Sequence, residues 1–419
     1  MVNCRFDNQP LRHIFVDLGM SPLSNAFRSA KQLNDAEKFY PLQAYVCEHC
    51  FLVQLDRFET PEQIFTDYAY FSSYSDSWLQ HAQDYVRQSI KSFDLDRNSQ
   101  VIEIASNDGY LLQYFQAHSI PVLGIEPAAN VAQVSEQKGV PTLNQFFGVK
   151  TAKTLVAQGK QADLLIGNNV LAHVPELNDF VAGMKLVLKP NGILTMEFPH
   201  VLQLIQQNQF DTIYHEHFSY FSLLTVEQVF RSHDLLLFDV EELPTHGGSL
   251  RIYGKHVDGK IQVSGHLEDG VGGGCDRIAQ LKAQEIAAGL NRLETYVTFS
   301  ENVRQTKRQL LSFLIAAKQQ GKSIAAYGAP AKGNTLLNYC GIRTDFIDYT
   351  VDRSPHKQGL FLPGTHIPIE HPDKIKQTQP DYLLILPWNL KDEIMQQMAH
   401  IREWGGQFVV PIPQLELLP

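Results

Sequence analysis

From residue 100 onward the chain alternates between short apolar strands and amphipathic helices, and this alternation restricts its fold more than any other feature. The stretch "VIEIA" predicts a strand, "GYLLQYFQAH" a helix, "PVLGIEP" a second strand and "ANVAQVSEQKG" a second helix. "ADLLIGNNV" and "GILTMEF" predict two further strands. Strands that alternate with helices pair in parallel, and their crossover helices cover both faces of the sheet. We therefore expect an α/β fold with a parallel central sheet.

A second alternation follows in the last third of the chain. A long helical pattern spans residues 276–320 and is expected to break near Tyr296 to Ser300. Strand "SIAAYG", helix "GNTLLNYCG", strands "DFIDYTVD" and "DYLLILP", and helix "LKDEIMQQMAHIREWG" come after it. This segment predicts a separate, smaller α/β unit. The first ~75 residues have little helical periodicity, and residues 76–98 then predict an amphipathic helix.

Length and charge exclude some classes of protein. A chain of 419 residues favours two or three domains, and a net charge of -10 argues against a nucleic-acid binder, which usually needs a basic face. The sequence has no apolar run of about 18 residues, so no membrane span is expected. The N-terminus lacks the apolar core of a signal peptide, and the five cysteines include a CxxC pair. These features favour a reduced, cytoplasmic location over a disulfide framework.

The turn after the strand "VIEIA" is typical of a nucleotide-binding loop. Glu103 belongs to the strand itself, the turn ends at Gly109, and the acidic Glu126 closes the next strand. A glycine turn lets a ligand approach the backbone, and a carboxylate after the second strand can accept hydrogen bonds from a ribose. The turn is not GxGxxG, which is a poor match to an NAD site. In the alternative interpretation the glycine is incidental, and Asn107 and Asp108 cap the helix.

This loop resembles the first two motifs of class I S-adenosylmethionine-dependent methyltransferases. "GNNVLAHV" after the fourth strand and "LKPNGILTMEFP" on the fifth agree with the order in that family. The resemblance implies S-adenosylmethionine as the cofactor. The candidate cofactor-binding residues are Glu103, Ala105, Asn107, Gly109, Glu126 and Asn168.

Two short cysteine motifs near the N-terminus predict a tetrahedral zinc site. Cys47 and Cys50 form "CEHC", and Cys4 and Asp7 lie about 40 residues upstream in "CRFD". CxxC lets two thiolates bind one ion from a tight turn, and a carboxylate is an acceptable though less usual zinc ligand. His13 and His49 are possible substitutes. In the alternative interpretation the metal has been lost and the cysteines are only buried; in both cases the role is structural.

At the level of the whole chain, the sequence resembles sugar C-methyltransferases that act on nucleotide-linked 4-keto-deoxysugars. Six motifs occur in that family's order: "CRFDNQPLRHIFVDLGMSPLSNAF", "YFSSYSDSW", "IEIASNDGYLL", "YHEHFSYFS", "THGGSLRIY" and "YGAPAKGNTLLNY". The resemblance implies an N-terminal zinc-binding-type domain (1–75), a class I methyltransferase domain (76–255) and a C-terminal Rossmann-like domain with a leading helical segment (256–419). The chain departs from the family at Asp7, where a second cysteine is usual.

The chemistry of carbon methylation agrees with this resemblance. A base must remove the proton alpha to a carbonyl, and histidine has a suitable pKa with little tuning. Tyrosine or a second histidine can donate a hydrogen bond to the enolate oxygen. The family's catalytic set carries over onto Tyr70, His173, Tyr214, Glu216 and His217. We assign His217 as the base and Glu216 as its partner or as the alternative base, while the other three position the ketone and sugar hydroxyls.

The second glycine-rich turn, "YGAPAKGNT", is a candidate site for the substrate's nucleotide diphosphate. Backbone amides at a helix start attract an anion, and Lys332 adds a positive charge beside Gly328. His246 and Arg251, from "PTHGGSLRIY", complete the candidate substrate-binding set, although Arg251 could instead pair with acids. The alternative is a fold relic that only packs on the central domain.

Three rival functions compete with sugar C-methylation. They are an O- or N-methyltransferase for another small molecule, a non-catalytic nucleotide-sugar-binding protein, and an NAD-dependent dehydrogenase that uses the C-terminal loop. The lack of GxGxxG counts against the last.

Overall fold

The structure is a computed structural model that describes residues 2–60, 71–260 and 274–419. Three β-sheets organise these residues, one near the N-terminus, one in the centre and one near the C-terminus. The predicted catalytic residue Tyr70 lies outside the described residues.

The N-terminal sheet is antiparallel and includes a strand from much later in the chain. Its order is β1-β2-β3-β9. The bounds are β1 (His13–Ser21), β2 (Tyr40–Val46), β3 (Val53–Leu55) and β9 (Ser219–Tyr220). Val53 pairs with Tyr220 and Gln54 with Ser219, so the segment just before β9 is fixed to this sheet.

The central sheet confirms the predicted α/β fold. Its order is β10-β11-β8-β7-β4-β5-β6, parallel from β8 to β6, with β11 and β10 antiparallel at one edge. The bounds are β4 (Val101–Ile104), β5 (Val122–Ile125), β6 (Thr142–Leu143), β7 (Ala162–Asn168), β8 (Leu188–Pro199), β10 (Leu235–Leu243) and β11 (Ser249–His256). The strand order reverses between β4 and β7, and a crevice for ligands opens at such a point beyond the carboxyl ends of the strands.

The C-terminal sheet has the order β14-β13-β12-β15-β16-β17, and all its pairs except β16 with β17 are parallel. The bounds are β12 (Ile324–Tyr327), β13 (Thr350–Val351), β14 (Ile369–Glu370), β15 (Tyr382–Ile385), β16 (Gln407–Val410) and β17 (Glu416–Leu418). The second predicted Rossmann-like sheet is therefore present.

Helices connect and cover the strands of all three sheets. Their bounds are α1 (Asp76–Ser92), α2 (Leu112–Ala117), α3 (Ala129–Gln137), α4 (Val149–Ala157), α5 (Leu177–Val187), α6 (Val201–Gln206), α7 (Leu223–Arg231), α8 (Gly274–Ala287), α9 (Leu293–Val297), α10 (Phe299–Gln319), α11 (Ala331–Cys340), α12 (Lys374–Thr378) and α13 (Lys391–Gln397). The first begins where the Ser75 hydroxyl accepts the Trp78 N–H, as an N-cap residue does.

Three predicted elements differ from the observed ones. The predicted strand 345–352 is reduced to β13, because the N–H groups of Phe346 and Ile347 turn back to the Arg343 carbonyl. The long helical pattern breaks at Thr298, between α9 and α10, as expected, but it also breaks after residue 287, at the left-handed Gly289. The predicted helix at 390–405 ends at residue 397, and a 3₁₀ segment, Ala399–Trp404, replaces its second half.

The N-terminal sheet packs directly on the C-terminal helices. The Phe15 ring stacks on Phe299 with ring centroids 4.5 Å apart, and its edge contacts Tyr296 at 6.2 Å. All three rings are buried, in one apolar cluster that continues into the C-terminal sheet. The first and last parts of the chain therefore share a core.

A buried ion pair joins β11 to β8, its antiparallel neighbour in the central sheet. The Arg251 guanidinium on β11 donates to the Glu197 carboxylate on β8 at 2.7 Å, and it lies 4.5 Å from the Tyr85 ring centroid. His81 contacts the same carboxylate at 2.9 Å. Burial would raise the pKa of Glu197, but Arg251 and His81 lower it to about 2. The pair is therefore ionised at neutral pH.

We expect Arg251→Met to lower the free energy of unfolding by about 3 to 5 kcal/mol, because removing one partner leaves a buried, uncompensated carboxylate. Arg304→Met is the matched control, since it breaks an Arg–carboxylate pair in which both side chains are 58% exposed. This control should change stability by less than about 0.5 kcal/mol. Urea unfolding followed by circular dichroism measures both, and equal losses would contradict the assignment.

Candidate active site and metal centre

A cavity of 720 Å³ opens beyond the carboxyl ends of the central strands. Its wall is formed by residues from the connection between β1 and β2, from the central sheet and from the start of α11. The residues that line it include Asn25, Trp78, Ala105, Asn107, Glu126, Asn168, Asn169, His173, Tyr214, Glu216, His217, His246 and Lys332. Most of the side chains predicted for the site therefore meet in one place.

The predicted cofactor loop forms one wall of this cavity. The Glu126 carboxylate at the end of β5 accepts the N–H groups of Asn107 at 3.0 Å and Ala128 at 2.9 Å. Burial raises the pKa of Glu126 to about 7, and these two hydrogen bonds oppose the rise. Ala105 and Asn107 have positive φ angles of 56° and 50°, so the turn has a backbone conformation that residues other than glycine rarely adopt. Such strain is often found where a backbone must approach a ligand.

Two predicted cofactor residues support the loop without lining the cavity. Glu103 on β4 is fully buried, and burial raises its pKa well above the ordinary value. Gly109 has φ +75°, and a Cβ there would lie 2.8 Å from the Ser135 hydroxyl and 3.0 Å from a Val140 methyl. A side chain at this position would therefore collide with α3 and the connection after it. Close packing of the turn therefore explains why this position is a glycine.

His217 enters the cavity with a defined tautomer. Its Nδ1 lies 2.9 Å from the Thr212 carbonyl oxygen, which only accepts, so Nδ1 carries the hydrogen. The Nε2 atom then accepts from the Tyr214 hydroxyl at 2.8 Å. The His173 ring contacts this imidazole edge-on, with centroids 4.6 Å apart. Burial and the neighbouring His173 hold the pKa of His217 well below its ordinary value.

Glu216 does not orient the His217 ring, contrary to one of the two roles expected for it. The backbone carbonyl of Thr212 occupies that position, while the Glu216 carboxylate accepts from the Asn25 side-chain amide at 2.8 Å. Glu216 is 4% exposed. Burial raises its pKa to about 7, and the Asn25 hydrogen bond opposes the rise. The carboxylate lines the cavity as a separate titratable group.

His246 lines the cavity from the turn between β10 and β11. Its Nε2 lies 3.1 Å from the Asn169 side-chain amide, and its ring centroid lies 5.3 Å from that of Trp78. Both His246 and Asn169 have positive φ angles, 55° and 53°. Burial lowers the pKa of His246 to about 4, so the ring is neutral at pH 7.

Lys332 brings a positive charge into the cavity wall from the first turn of α11. Its Nζ lies 4.6 Å from the centroid of the Trp388 ring and donates to the Asn389 side chain at 2.7 Å. Burial lowers the pKa of Lys332, and the nearby Asp211 opposes this. The Trp388 indole N–H in turn donates to Asp211 at 2.8 Å.

Two predicted substrate residues do not reach the cavity. Arg251 is 3% exposed because its guanidinium is used in the ion pair with Glu197. Gly328 packs against Pro387, whose Cδ would lie 2.6 Å from an added Cβ. Asp352, at the end of the next strand, accepts the Ala329 N–H at 2.8 Å. These contacts hold the turn after β12 against the rest of the C-terminal sheet, so Gly328 is a packing position rather than part of the cavity wall.

Sequence reasoning missed several residues of the cavity wall. Asn25 lies within the quoted motif "SPLSNAF", but nothing local indicates that it reaches a loop 191 positions away. Trp78 appeared only as an apolar helix position, and Asn169 was overlooked beside Asn168. A polar residue directly after a strand is the signal that could have identified Asn169, since such residues face the ligand crevice.

The four predicted metal ligands form one cluster. The donor atoms of Cys4, Asp7, Cys47 and Cys50 all lie within 4.8 Å of one another. The Cys4 and Cys50 sulfurs are 3.6 Å apart, and the Cys47 sulfur lies 3.5 Å from Asp7 Oδ2. Ligands at tetrahedral corners around zinc, with Zn–S near 2.3 Å, are about 3.8 Å apart. The cluster therefore fits a structural zinc ion with three thiolates and one carboxylate.

Gln54 supports this cluster from β3, since its side-chain amide donates to the Cys4 sulfur at 3.2 Å. Hydrogen bonds from Cys4 and Cys50 lower the pKa of Cys47 to about 3, which favours the thiolate. His13 and His49, considered as substitutes, instead contact Glu48.

We expect the purified protein to hold about one zinc ion per chain and Cys47→Ser to lose most of it, because a structural site uses all four ligands. Cys340→Ser is the control, since this buried cysteine lies outside the cluster. Elemental analysis by mass spectrometry measures both. Zinc-free wild-type protein, purified without chelator, would contradict the prediction and favour the interpretation that the cysteines are only buried.

In the parts of the chain that the structure describes, no helix combines the length and the apolar character needed to cross a bilayer.

Three family models match successive parts of the chain. Residues 4–65 match one described as "Putative zinc binding domain", residues 78–238 a "Methyltransferase domain", and residues 244–413 a "C-methyltransferase C-terminal domain". The C-methyltransferase NovU of Streptomyces niveus is 32% identical over 399 residues, which cover 95% of this chain and 92% of NovU.

Solved structures resemble a smaller part of the chain. The PH0226 protein of Pyrococcus horikoshii OT3 has a TM-score of 0.37 at 15% identity, over 48% of this chain and 99% of that one. An S-adenosylmethionine-dependent methyltransferase of Clostridium acetobutylicum ATCC 824 has a TM-score of 0.35 at 11% identity, over 43% and 92%. Taken together, the family models and NovU show that the chain belongs to the C-methyltransferase family, and that it is an S-adenosylmethionine-dependent enzyme with a class I Rossmann-like methyltransferase fold.

Proposed function

We propose that this enzyme methylates a ring carbon beside the ketone of a nucleotide-linked 4-keto-deoxysugar. One observation carries the proposal: a neutral imidazole with a defined tautomer, His217, shares a cavity with the cofactor loop. Methyl transfer to carbon needs a carbanion equivalent, and therefore a base within reach of both the substrate and the methyl group. Transfer to oxygen or nitrogen places a weaker demand on such a base.

His217 is the proposed base, acting through Nε2. Because Nδ1–H donates to Thr212, the Nε2 lone pair is the basic site, and it faces the Tyr214 hydroxyl. A substrate carbon that approaches Nε2 displaces that hydroxyl, which can then donate to the ketone oxygen. The proton alpha to the ketone passes to Nε2, and the C–H electron pair forms the enolate. Hydrogen bonding at the oxygen stabilises the charge as it develops.

S-adenosylmethionine, when bound, supplies the methyl group, and the C–S bond that breaks leaves its electron pair on sulfur. The residues that would hold it are those of the cofactor wall, Ala105, Asn107, Glu126 and Asn168. Glu126 would accept hydrogen bonds from the ribose, with its own position fixed by two backbone N–H groups. After the transfer, the imidazolium of His217 returns its proton to water.

Glu216 is the second candidate base. Its pKa of about 7 matches the working pH better than that of His217, which burial lowers strongly. It also faces the cavity, where it could instead accept a hydrogen bond from a sugar hydroxyl. The two candidates predict different pH dependence.

The opposite wall suits the charged part of such a substrate. Pro330, Ala331 and Lys332 at the start of α11 line the cavity, so the N-terminal end of a helix and an ammonium group lie on the same wall. His246 adds a neutral ring nitrogen. We propose that these residues bind the diphosphate, with residues 1–75, 76–255 and 256–419 as three units that each contribute part of the site.

The test is incubation with a panel of nucleotide-linked ketosugars, with products identified by mass spectrometry. We expect a C-methylated product and, without methyl donor, exchange of the proton alpha to the ketone with deuterated solvent. His217→Asn should lower turnover about 100-fold or more, as loss of a general base does. Exchange should fall in parallel, because the same proton is removed.

His233→Asn is the matched control, because among the described residues this histidine after α7 is hydrogen-bonded to Ser232 and Val229 of its own turn and is not part of the cavity wall. A methyl product on oxygen or nitrogen, without deuterium exchange, would instead identify an O- or N-methyltransferase. Binding of the nucleotide sugar without any product would favour the non-catalytic alternative.

The pH dependence separates the two bases. A base acts in its deprotonated form, so kcat/KM falls as the pH drops through its pKa in the free enzyme. The pKa of His217 lies well below 6.5, so with His217 as base we expect kcat/KM to stay level from about pH 8 to about pH 6. A decline centred at about pH 7 in wild type, absent from Glu216→Gln, would transfer the base role to Glu216.

A further inference from the structure

A side chain of the N-terminal part of the chain contacts the candidate catalytic carboxylate directly. Asn25 follows β1 in the sequence, lines the cavity, and donates its side-chain amide to Glu216 Oε1 at 2.8 Å. Among the described residues no other side chain is seen to donate to this carboxylate. The contact joins residues 191 positions apart.

One turn of α11 fixes the backbone on both sides of this contact. The Asn334 side-chain amide donates to the Ser24 carbonyl at 2.6 Å, and the Thr335 hydroxyl donates to the Ile213 carbonyl at 3.1 Å. Both side chains are 1% exposed. Ser24 directly precedes Asn25, and Ile213 begins the loop that carries the catalytic residues. The relative position of the two partners is therefore set by buried hydrogen bonds.

We propose that Asn25 is a positioning residue that holds the Glu216 carboxylate toward the cavity, so that the N-terminal part of the chain completes the active site. This inference rests on the proposed function, in which Glu216 meets the substrate. It assigns to the "SPLSNAF" segment a role in catalysis that is separate from metal binding.

A neutral amide suits this position better than a cation. A buried carboxylate needs a hydrogen-bond donor, but a lysine or arginine would hold its pKa far below neutrality. Asn25 lowers the pKa of Glu216 only partly, against the effect of burial. Burial lowers the pKa of the three histidines of the same wall, His173, His217 and His246, so these rings add no charge near neutral pH. The other titratable residues that line the cavity are Arg57, Tyr110, Glu126, Glu176, Asp179, Tyr214, Lys332 and Lys357. Loss of Asn25 should therefore raise the pKa of Glu216 and release its side chain.

A double-mutant cycle tests whether Asn25 acts through Glu216. We expect Asn25→Leu to lower kcat/KM about 10-fold, a coupling typical of residues in direct contact. In the Glu216→Gln background, the same change should lower kcat/KM less than about 2-fold, because the carboxylate that Asn25 positions is gone. A full 10-fold loss in that background would overturn the proposal and indicate that Asn25 contacts the substrate itself.

Asn178→Leu is the matched control for structural damage. The Asn178 amide also bridges to the N-terminal part of the chain, donating to the Arg5 and Phe6 carbonyls, but it does not line the cavity. This variant should keep the wild-type kcat/KM and the wild-type pKa of Glu216. An equal loss of activity in both variants would show that Asn25 is only structural.

A titration that needs no activity separates this inference from the proposed function. In enzyme labelled with ¹³C at glutamate carboxyls, Glu216 is assigned by its absence in Glu216→Gln. We expect Asn25→Leu to raise its pKa above the wild-type value of about 7. An unchanged pKa would overturn the positioning role. A raised pKa in an enzyme that fails to methylate every ketosugar would leave that role intact and refute the proposed function alone.

Discussion

Two backbone pairings, Val53 with Tyr220 and Gln54 with Ser219, connect the candidate catalytic loop to a sheet built by the start of the chain. Without them the segment with Tyr214, Glu216 and His217 would be a long connection between α6 and α7 with no strand pairing. The end of this segment forms the short strand β9 and is fixed to the N-terminal sheet by main-chain hydrogen bonds. Thr335 fixes the beginning of the segment through the Ile213 carbonyl. A loop held at both ends can keep an imidazole and a carboxylate in defined orientations, which catalysis by a general base requires. The candidate metal cluster contacts the same sheet, since Gln54 both pairs in β3 and donates to Cys4.

Burial, rather than ion pairing, sets the protonation state of the cavity. The pKa values of His173, His217 and His246 are all lowered, so the three rings are neutral at pH 7. This matters for a cofactor whose sulfonium is a cation, because protonated imidazoles in the same cavity would repel it. The strong ion pairs of the molecule, such as Arg251 with Glu197, lie behind the cavity and serve the framework of the central sheet.

The sequence predicted the features that are local and failed where distant segments meet. Alternating strands and helices indicated the central sheet, Glu126 was identified because it ends a strand, and the CxxC spacing gave the cluster of Cys47 and Cys50. Arg251 was assigned to the substrate-binding set with pairing to acids as the alternative, and the structure pairs it with Glu197 on the neighbouring strand β8, in the core. The contact of Asn25 with Glu216 depends on how three sheets pack, and no periodicity or motif records that. The hydrogen bond that orients His217 could not be predicted either, because its acceptor is the backbone carbonyl of Thr212 and every residue has such a carbonyl.

Two adjacent residues of the C-terminal sheet connect its packing to the charge in the central cavity. Pro387 packs against Gly328, and the next residue, Trp388, lies under the Lys332 ammonium and against Gly247. The turn after β12 and the ammonium group in the cavity wall therefore share one support. The position of that charge depends on how the C-terminal sheet packs, and not only on the helix that carries the lysine.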